Sequence, residues 1–218
     1  MKRYPRVQFR KKLRELKENV EEMGQLALKS QKKAMEILFE FDDEKYENIN
    51  RAGKDIEIMN FSLERRCMSI IASEQPVAKD LRFIEACIKV GSYLNREVGL
   101  AVNIAEVAKN LKEEDLPNKP MESLIHMSNI VQMMLSKGIY SFLDQNMNMA
   151  RELRADDDKV DDLFDMAMSQ ITKSMAKDKD SISYLVYLLF VARFLERSAD
   201  RAVSMGDRTI FMMTCEKP

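Results

Sequence analysis

The sequence predicts an all-α protein of six helices arranged as two tandem three-helix up-down bundles, and three observations carry that prediction. Breakers are scarce, with six glycines and five prolines in 218 residues, while 45% of residues are hydrophobic and 33% charged. Few breakers and many charges suit long solvated helices rather than a sheet with frequent turns. Apolar residues recur at steps of four and three over stretches of about thirty residues. The second half of the chain repeats the first at an offset near 101, placing Leu94 on Leu195, Arg96 on Arg197, Ala101 on Ala202 and Val102 on Val203. A period that long marks two copies of one supersecondary unit rather than a short-repeat solenoid.

The first helix carries Phe9, Leu13, Leu16, Val20, Met23, Ala27, Ser30, Ala34, Ile37 and Phe41 in one seam. Phe41-Asp42-Asp43-Glu44 interrupts it and offers Asp42 as the next N-cap. The second helix places Ile49, Gly53, Ile56, Asn60, Leu63, Cys67 and Ile70 inward and ends at Glu74-Gln75-Pro76. Pro76 stands at or just before the third helix, where proline is tolerated. That helix is expected to turn Val77, Leu81, Ile84, Ile88, Gly91, Asn95, Val98, Val102 and Ala105 inward. Residues 112–120 are polar, hold two prolines and read as a linker, dividing the chain into units at 9–111 and 121–212. A fourth helix carries Leu124, Met127, Val131, Met134, Gly138 and Phe142; a fifth spans about 146–176 and a sixth about 181–212. Long helices with short connections pack as antiparallel neighbours.

Composition excludes several classes of function. Thirty-five basic against 36 acidic residues give a net charge of −1, so there is no basic field for nonspecific nucleic-acid binding. The local basic patch of Lys2, Arg3, Arg6, Arg10, Lys11, Lys12 and Arg14 reads as a solvated arm and first turn. Three widely spaced cysteines, Cys67, Cys87 and Cys215, make no CxxC pair and fit a reducing cytoplasm. The longest nearly apolar run, 182–192, is too short to span a bilayer, and no signal peptide is recognisable. The single histidine, His126, has no second imidazole to join it as a metal ligand, and Glu122 stands four residues before it, so the Glu-x-x-His pair of a ferritin-type di-iron site is missing. The 17 methionines read as core filler, with a promiscuous methionine-rich face as the alternative.

Acidic residues interrupt two seams. In the sixth helix Glu196 falls in the interior series of Leu185, Leu189, Ala192, Ala199 and Val203, with Asp200 four residues on and Asp207 seven further. In the fifth helix Asp157 begins the series of Val160, Phe164, Ala167 and Ile171, and Asp161 follows it. Facing helices then project Asp157, Asp161, Glu196 and Asp200 toward one another. Unpaired buried carboxylates cost several kcal/mol each. Three routes to neutralisation are open: protonation, ion pairs with Lys159, Arg193, Arg197 and Arg201, or a cation. Oxygen donors without histidine or thiolate suit hard ions such as Fe³⁺, Mg²⁺, Mn²⁺ or Ca²⁺.

Several segments resemble the PhoU family. Glu74-Gln75-Pro76-Val77-Ala78-Lys79-Asp80-Leu81-Arg82 is similar to its Q-P-x-A-x-D-L-R segment. Leu195-Glu196-Arg197-Ser198-Ala199-Asp200 matches the L-E-R-x-x-D core of its repeated metal motif, and Asp157-Asp158-Lys159-Val160-Asp161 resembles the D-x-x-V-D of the partner helix. Leu100-Ala101-Val102-Asn103-Ile104-Ala105 is similar to the segment after that motif in the first repeat. The resemblance spans residues 9 to about 212. It implies side-by-side bundles, often dimeric, with multinuclear metal clusters on their surface, Fe³⁺ being expected here ahead of Mg²⁺, Mn²⁺ or Zn²⁺. It also implies a cytoplasmic, non-enzymatic regulator of phosphate homeostasis. Such a protein restrains phosphate uptake and the starvation response by contacting the ATPase subunit of the phosphate ABC transporter and a sensor kinase. The alternatives are an accessory role to a sodium–phosphate or potassium transporter, or a metal-dependent phosphohydrolase, for which no phosphate-orienting motif is visible. The first repeat departs from the pattern: Gly53, Asn95 and Gly99 stand where the family has acids, and only Glu57 survives. A metal site is therefore expected from Asp157, Asp161, Glu196 and Asp200, with Asp207 and Glu57 as weaker candidates.

Overall fold

The computed structural model describes residues 4–216, with side chains from residue 7; Lys2 and Arg3 of the basic patch lie outside the described residues. Six helices follow one another: α1 (Tyr4–Phe39), α2 (Asp43–Glu74), α3 (Ala78–Leu111), α4 (Asn118–Leu143), α5 (Met147–Lys177) and α6 (Ile182–Thr214), with no strand among the described residues. None of them is long and apolar enough to cross a membrane.

The boundaries follow from local chemistry. Asp42 caps α2 as expected, accepting from the Lys45 backbone N–H at 2.6 Å. Asn146 caps α5, accepting from the N–H groups of Asn148 and Met149 at 3.1 and 3.2 Å. The linker is shorter than expected because α4 begins at Asn118, so that Pro120 sits in its first turn. Proline costs little there, since the N–H it lacks would have no partner within the helix. The turn between α2 and α3 places Gln75 and Ala78 at φ 47°, a left-handed conformation costing non-glycine residues roughly 1–3 kcal/mol. Arg82, at the end of the same segment, donates from Nε to the Met212 carbonyl at 2.9 Å and ties the start of α3 to the end of α6.

Buried side chains form one continuous core through both bundles. The expected α4 seam is buried at every position, as is most of that of α1. Val77 and Leu81 are corrections. They are exposed, Val77 by 75% and Leu81 by 39%, because Val77 precedes α3 as its N-cap and the buried stripe of the helix begins only at Ile84. Met23, Met127, Met134 and Met205 are fully buried, as filler should be, whereas Met68, Met133 and Met166 are exposed. Cys67 and Cys87 are buried free thiols and Cys215 is exposed; burial pushes the Cys67 thiol up to about 12, so it stays protonated and inert.

The bundles meet mainly along α3 and α6, with α1 against α4 beside them. The α3–α6 contact is antiparallel: Arg82 meets Met212, Arg208 reaches Glu85 at 3.1 Å, and Glu97 meets Ser198. Glu97 and Ser198 lie 101 residues apart, so each occupies the same position in its own repeat. A residue that touches its own equivalent marks a two-fold axis, here a pseudo-two-fold between the halves. Leu94 and Leu195 and also Ala101 and Ala202, equivalent in the same sense, are all fully buried around it. Glycine lets helices of the second bundle approach closely. A Cβ on Gly138 of α4 would stand 3.0 Å from the Ala202 carbonyl oxygen of α6.

Glycine positions give a matched pair of expectations. Gly138→Ala should destabilise by about 1–3 kcal/mol, because α6 backbone cannot yield as a side chain can. Gly99→Ala, whose Cβ meets nothing within 4 Å, should stabilise by about 0.5–1 kcal/mol through the helix preference for alanine. Urea midpoints of the two variants should therefore move in opposite directions.

Glu97 generates the second expectation. It is wholly buried, one oxygen taking the Ser198 hydroxyl and Oε2 having no partner. Burial pushes its carboxyl up to about 7, against the opposing pulls of Ser198 and Arg201. Between its ordinary value of 4.5 and about 7 the folded chain holds a proton that the unfolded chain has released. Stability from this group is thus complete below that window and falls as pH rises through it, by a ceiling on the order of 3 kcal/mol. Glu97→Gln should flatten the fall, and unchanged curvature in a chemical-denaturation series from pH 4.5 to 8 would count against it.

Candidate metal centre

The acids of α5 and α6 are placed by the apolar residues between them. On α5, Val160, Ala167 and Ile171 are buried against the bundle, which sets Asp157 and Asp161 on the shoulder of that stripe. On α6, Ala192, Leu195 and Ala199 are buried, which sets Glu196 and Asp200 on the matching shoulder. Asp157 and Glu196 are half-buried, whereas Asp161 and Asp200 are exposed. Glu196 therefore does not occupy the core; its side chain remains 18% exposed, because its helical position is rotated away from the buried Leu195.

The four acids act on one another. Desolvation, followed by repulsion from Asp161, Asp200, Asp158 and Glu196, pushes the Asp157 carboxyl up to about 6. Burial and then Asp200 raise Glu196 as well, outweighing the pull of Arg193. Arg193 Nη1 donates to Glu196 Oε1 at 2.6 Å, yet Oε2 is buried without a partner. Asp157, Asp161 and Asp200 form no ion pair among the described residues. Lys159, one of the cations that sequence reasoning offered as neutraliser, is committed elsewhere. It joins Lys137 on the neighbouring Asp156, each at 2.7 Å. Burial raises the Asp156 carboxyl, but the two lysines outweigh it and hold the group below the usual aspartate range. Side by side on one helix stand a neutralised aspartate and one that is not.

These side chains do not converge on a point. Among the described residues no three histidine, cysteine or carboxylate groups stand close enough to hold one ion. The donor chemistry nonetheless fits a hard cation: oxygens only, one of them buried and orphaned. Of the arginines offered as neutralisers, only Arg193 pairs with an acid of the four among the described residues; Arg197 acts on Glu196 by its charge alone, and Arg201 acts on Glu97. Convergence asks for side-chain rotation at Asp161 and Asp200, both of which have open space in solvent. Asp207 is engaged by Arg154, whose Nη2 lies 3.1 and 3.2 Å from its two oxygens.

The equivalent place in the first repeat is a recess of about 540 Å³ between α2 and α3. Gly53, Glu57, Asn95 and Gly99 line it, together with Lys54 and Asn103. Glu47 and Glu106 also reach its rim, two acids missed by a search confined to the motif spacing. Lost side chains leave open volume here, with Glu57 the one surviving acid of the four.

The chain matches the PhoU domain twice, over residues 20–108 and 124–209. It is 63% identical over 217 residues, all of this chain and 99% of the relative, to a phosphate-specific transport system accessory protein PhoU homolog 1 of Methanothermobacter thermautotrophicus. A PhoU homolog of that system in Aquifex aeolicus is 36% identical over 86% of this chain and 84% of its own. Among solved structures, PhoU from Pseudomonas aeruginosa superposes with a TM-score of 0.91 at 24% identity, covering 95% of this chain and 100% of that one, a likeness of fold. The phosphate transport system regulatory protein PhoU from Streptococcus pneumoniae gives 0.88 at 27% identity, over 96% and 99%.

The mutual repulsion can be read directly in metal-free protein. Asp161→Asn removes the largest charge acting on Asp157 and should lower its titration midpoint, observed by carboxyl-carbon NMR. A midpoint that stays put would mean that Asp161 does not repel the Asp157 carboxylate.

Proposed function

The chain belongs to the PhoU family, and on that premise we propose that it is an accessory regulator of phosphate transport acting by protein contact rather than by catalysis. The observation that carries the reading is the near-complete, 63% identical match to a phosphate-specific transport system accessory protein. On this reading the protein works in the cytoplasm, as a homodimer, and restrains phosphate uptake and starvation signalling. Its partners are the ATPase subunit of the phosphate ABC transporter and a sensor kinase.

The α5/α6 acids hold a hard cation, Fe³⁺ ahead of Mn²⁺, Mg²⁺ or Zn²⁺, with Asp157, Asp161, Glu196 and Asp200 as donors. Two features support this. Glu196 keeps a buried oxygen without a partner, and three further acids raise Asp157 together with it. When bound, the cation supplies positive charge that offsets this repulsion. The chain's own groups then cross-brace α5 and α6, while Arg193 fixes one oxygen of Glu196. The first repeat, with glycine or asparagine at three of its four equivalent positions, holds none or a weaker one.

Added Mn²⁺ or Fe³⁺ should raise the melting temperature of the wild type and leave a Glu196→Gln/Asp200→Asn double variant unmoved. Equal metal occupancy in both halves would overturn the assignment to the second repeat. Affinity capture of the phosphate transporter's ATPase subunit tests the partner; recovery of only a sodium–phosphate or potassium transporter would redirect the function.

A further inference from the structure

A second surface lies on the opposite pairing of helices. Between the last turns of α1 and the first turns of α4 two recesses of about 430 and 250 Å³ meet, sharing Phe39 and Ile125 as common walls. None of their lining residues comes from α5 or α6, so the groove is separate from the carboxylate face. Leu38, Leu111 and Met121 are buried side chains lining the larger recess, and Phe39 stands 47% exposed at the mouth.

Two independent features say what would fill it. Gln31, only 1% exposed, turns its amide nitrogen to Ser128 Oγ at 3.4 Å, and Gln132 gives its own to the Leu28 carbonyl at 3.2 Å. Both side chains line the smaller recess, and in both the amide oxygen is buried without a donor. Buried acceptors in native proteins are rarely left so. The second feature is charge. Glu36 is paired with Lys45 at 3.1 Å, but Glu114, Asp115 and Glu122 line the larger recess against Lys112, an acidic surplus around an apolar floor.

The geometry points to a docking groove for a basic amphipathic helix of a partner protein. Apolar side chains of that helix enter beside Phe39, and an arginine or lysine of the same helix donates to Gln31 and Gln132. Helix-in-groove recognition of this kind places apolar anchors at i, i+3, i+4 and i+7. The acidic lining supplies the complementarity that selects a basic partner over an acidic one.

The test uses the full-length protein and a fluorescein-labelled 18-residue helix with leucine at those anchor positions and arginine elsewhere, beside a twin carrying glutamate for arginine. Anisotropy should show salt-sensitive binding of the arginine helix alone. Phe39→Asp removes an exposed anchor contact and Gln132→Leu a charge-assisted hydrogen bond; each should weaken binding about tenfold without lowering the melting temperature. Glu196→Gln, on the carboxylate face, should leave it unchanged. The proposal fails if the arginine helix does not bind, if both helices bind alike, or if Phe39→Asp and Gln132→Leu bind as wild type does. It fails equally if light scattering shows that Phe39→Asp splits a wild-type dimer, since the groove would then belong to a second copy. Each of these readouts stands apart from capture of the transporter, so either proposal can fall alone.

Discussion

Everything in this molecule is arranged around the antiparallel contact of α3 with α6. Each helix is the last of its three-helix unit, and each lends its flattest face to the pseudo-two-fold axis. Ala101, Ala202 and Ser198 are small and fully buried there, and small residues let helices approach closely. Glu97 stands on the axis as its one large polar group, opposite its own repeat equivalent. A buried acid at a symmetric contact is tolerable only while protonated or hydrogen-bonded. The serine opposite provides the bond: two glutamates facing each other there would repel. The halves thus had to diverge at this position, whatever selected their other differences.

A shared scaffold with diverged faces explains the two α-helical pairs that flank the axis. The turns and seams of α2/α3 and α5/α6 superimpose as a pattern, so matching positions face matching partners. In the second unit these positions carry Asp157, Asp161, Glu196 and Asp200; in the first they carry Gly53, Glu57, Asn95 and Gly99. With glycine or asparagine at three of these positions the first unit has a wide recess, whose remaining acids Glu47, Glu57 and Glu106 are spread around it. In the second unit the clustered acids stand beside Asp156, which two lysines neutralise.

Much of this was legible in the sequence, and the failures share one cause. Helix number, the Asp42 cap and the seam of α4 follow from local periodicity and capping, which depend on near neighbours alone. Glu97 was missed because within its own bundle it falls beside Val98, off the predicted seam; only the second bundle buries it. Glu196 was overestimated for the mirror reason. Its spacing counts as core, but a helix packed against two neighbours buries a wide stripe, and residues on its edge keep solvent. The buried glutamines of the α1–α4 groove carry no sequence signal, since glutamine at a helical interface reads as surface until a neighbouring helix covers it. Tertiary burial, unlike helix formation, is set by residues a hundred positions away.

The distribution of unpaired groups then has a physical meaning. A protein under no demand beyond folding would pair each buried acceptor or replace it with a methyl group, as packing permits. This chain does so over most of its core, where fully buried side chains are almost all apolar. The exceptions are of two kinds. Glu97 at the axis, Asn60 beside Gly91 in the first bundle, and the Nε groups of Arg201 and Arg208 belong to the packing of the chain itself. Glu196 on the carboxylate shoulder and Gln31 and Gln132 at the α1–α4 groove lie instead where a junction between helices opens to solvent. Unmet hydrogen-bonding capacity of the first kind is a cost of the fold, whereas at an open junction the cost borne by the isolated chain is returned if something binds there.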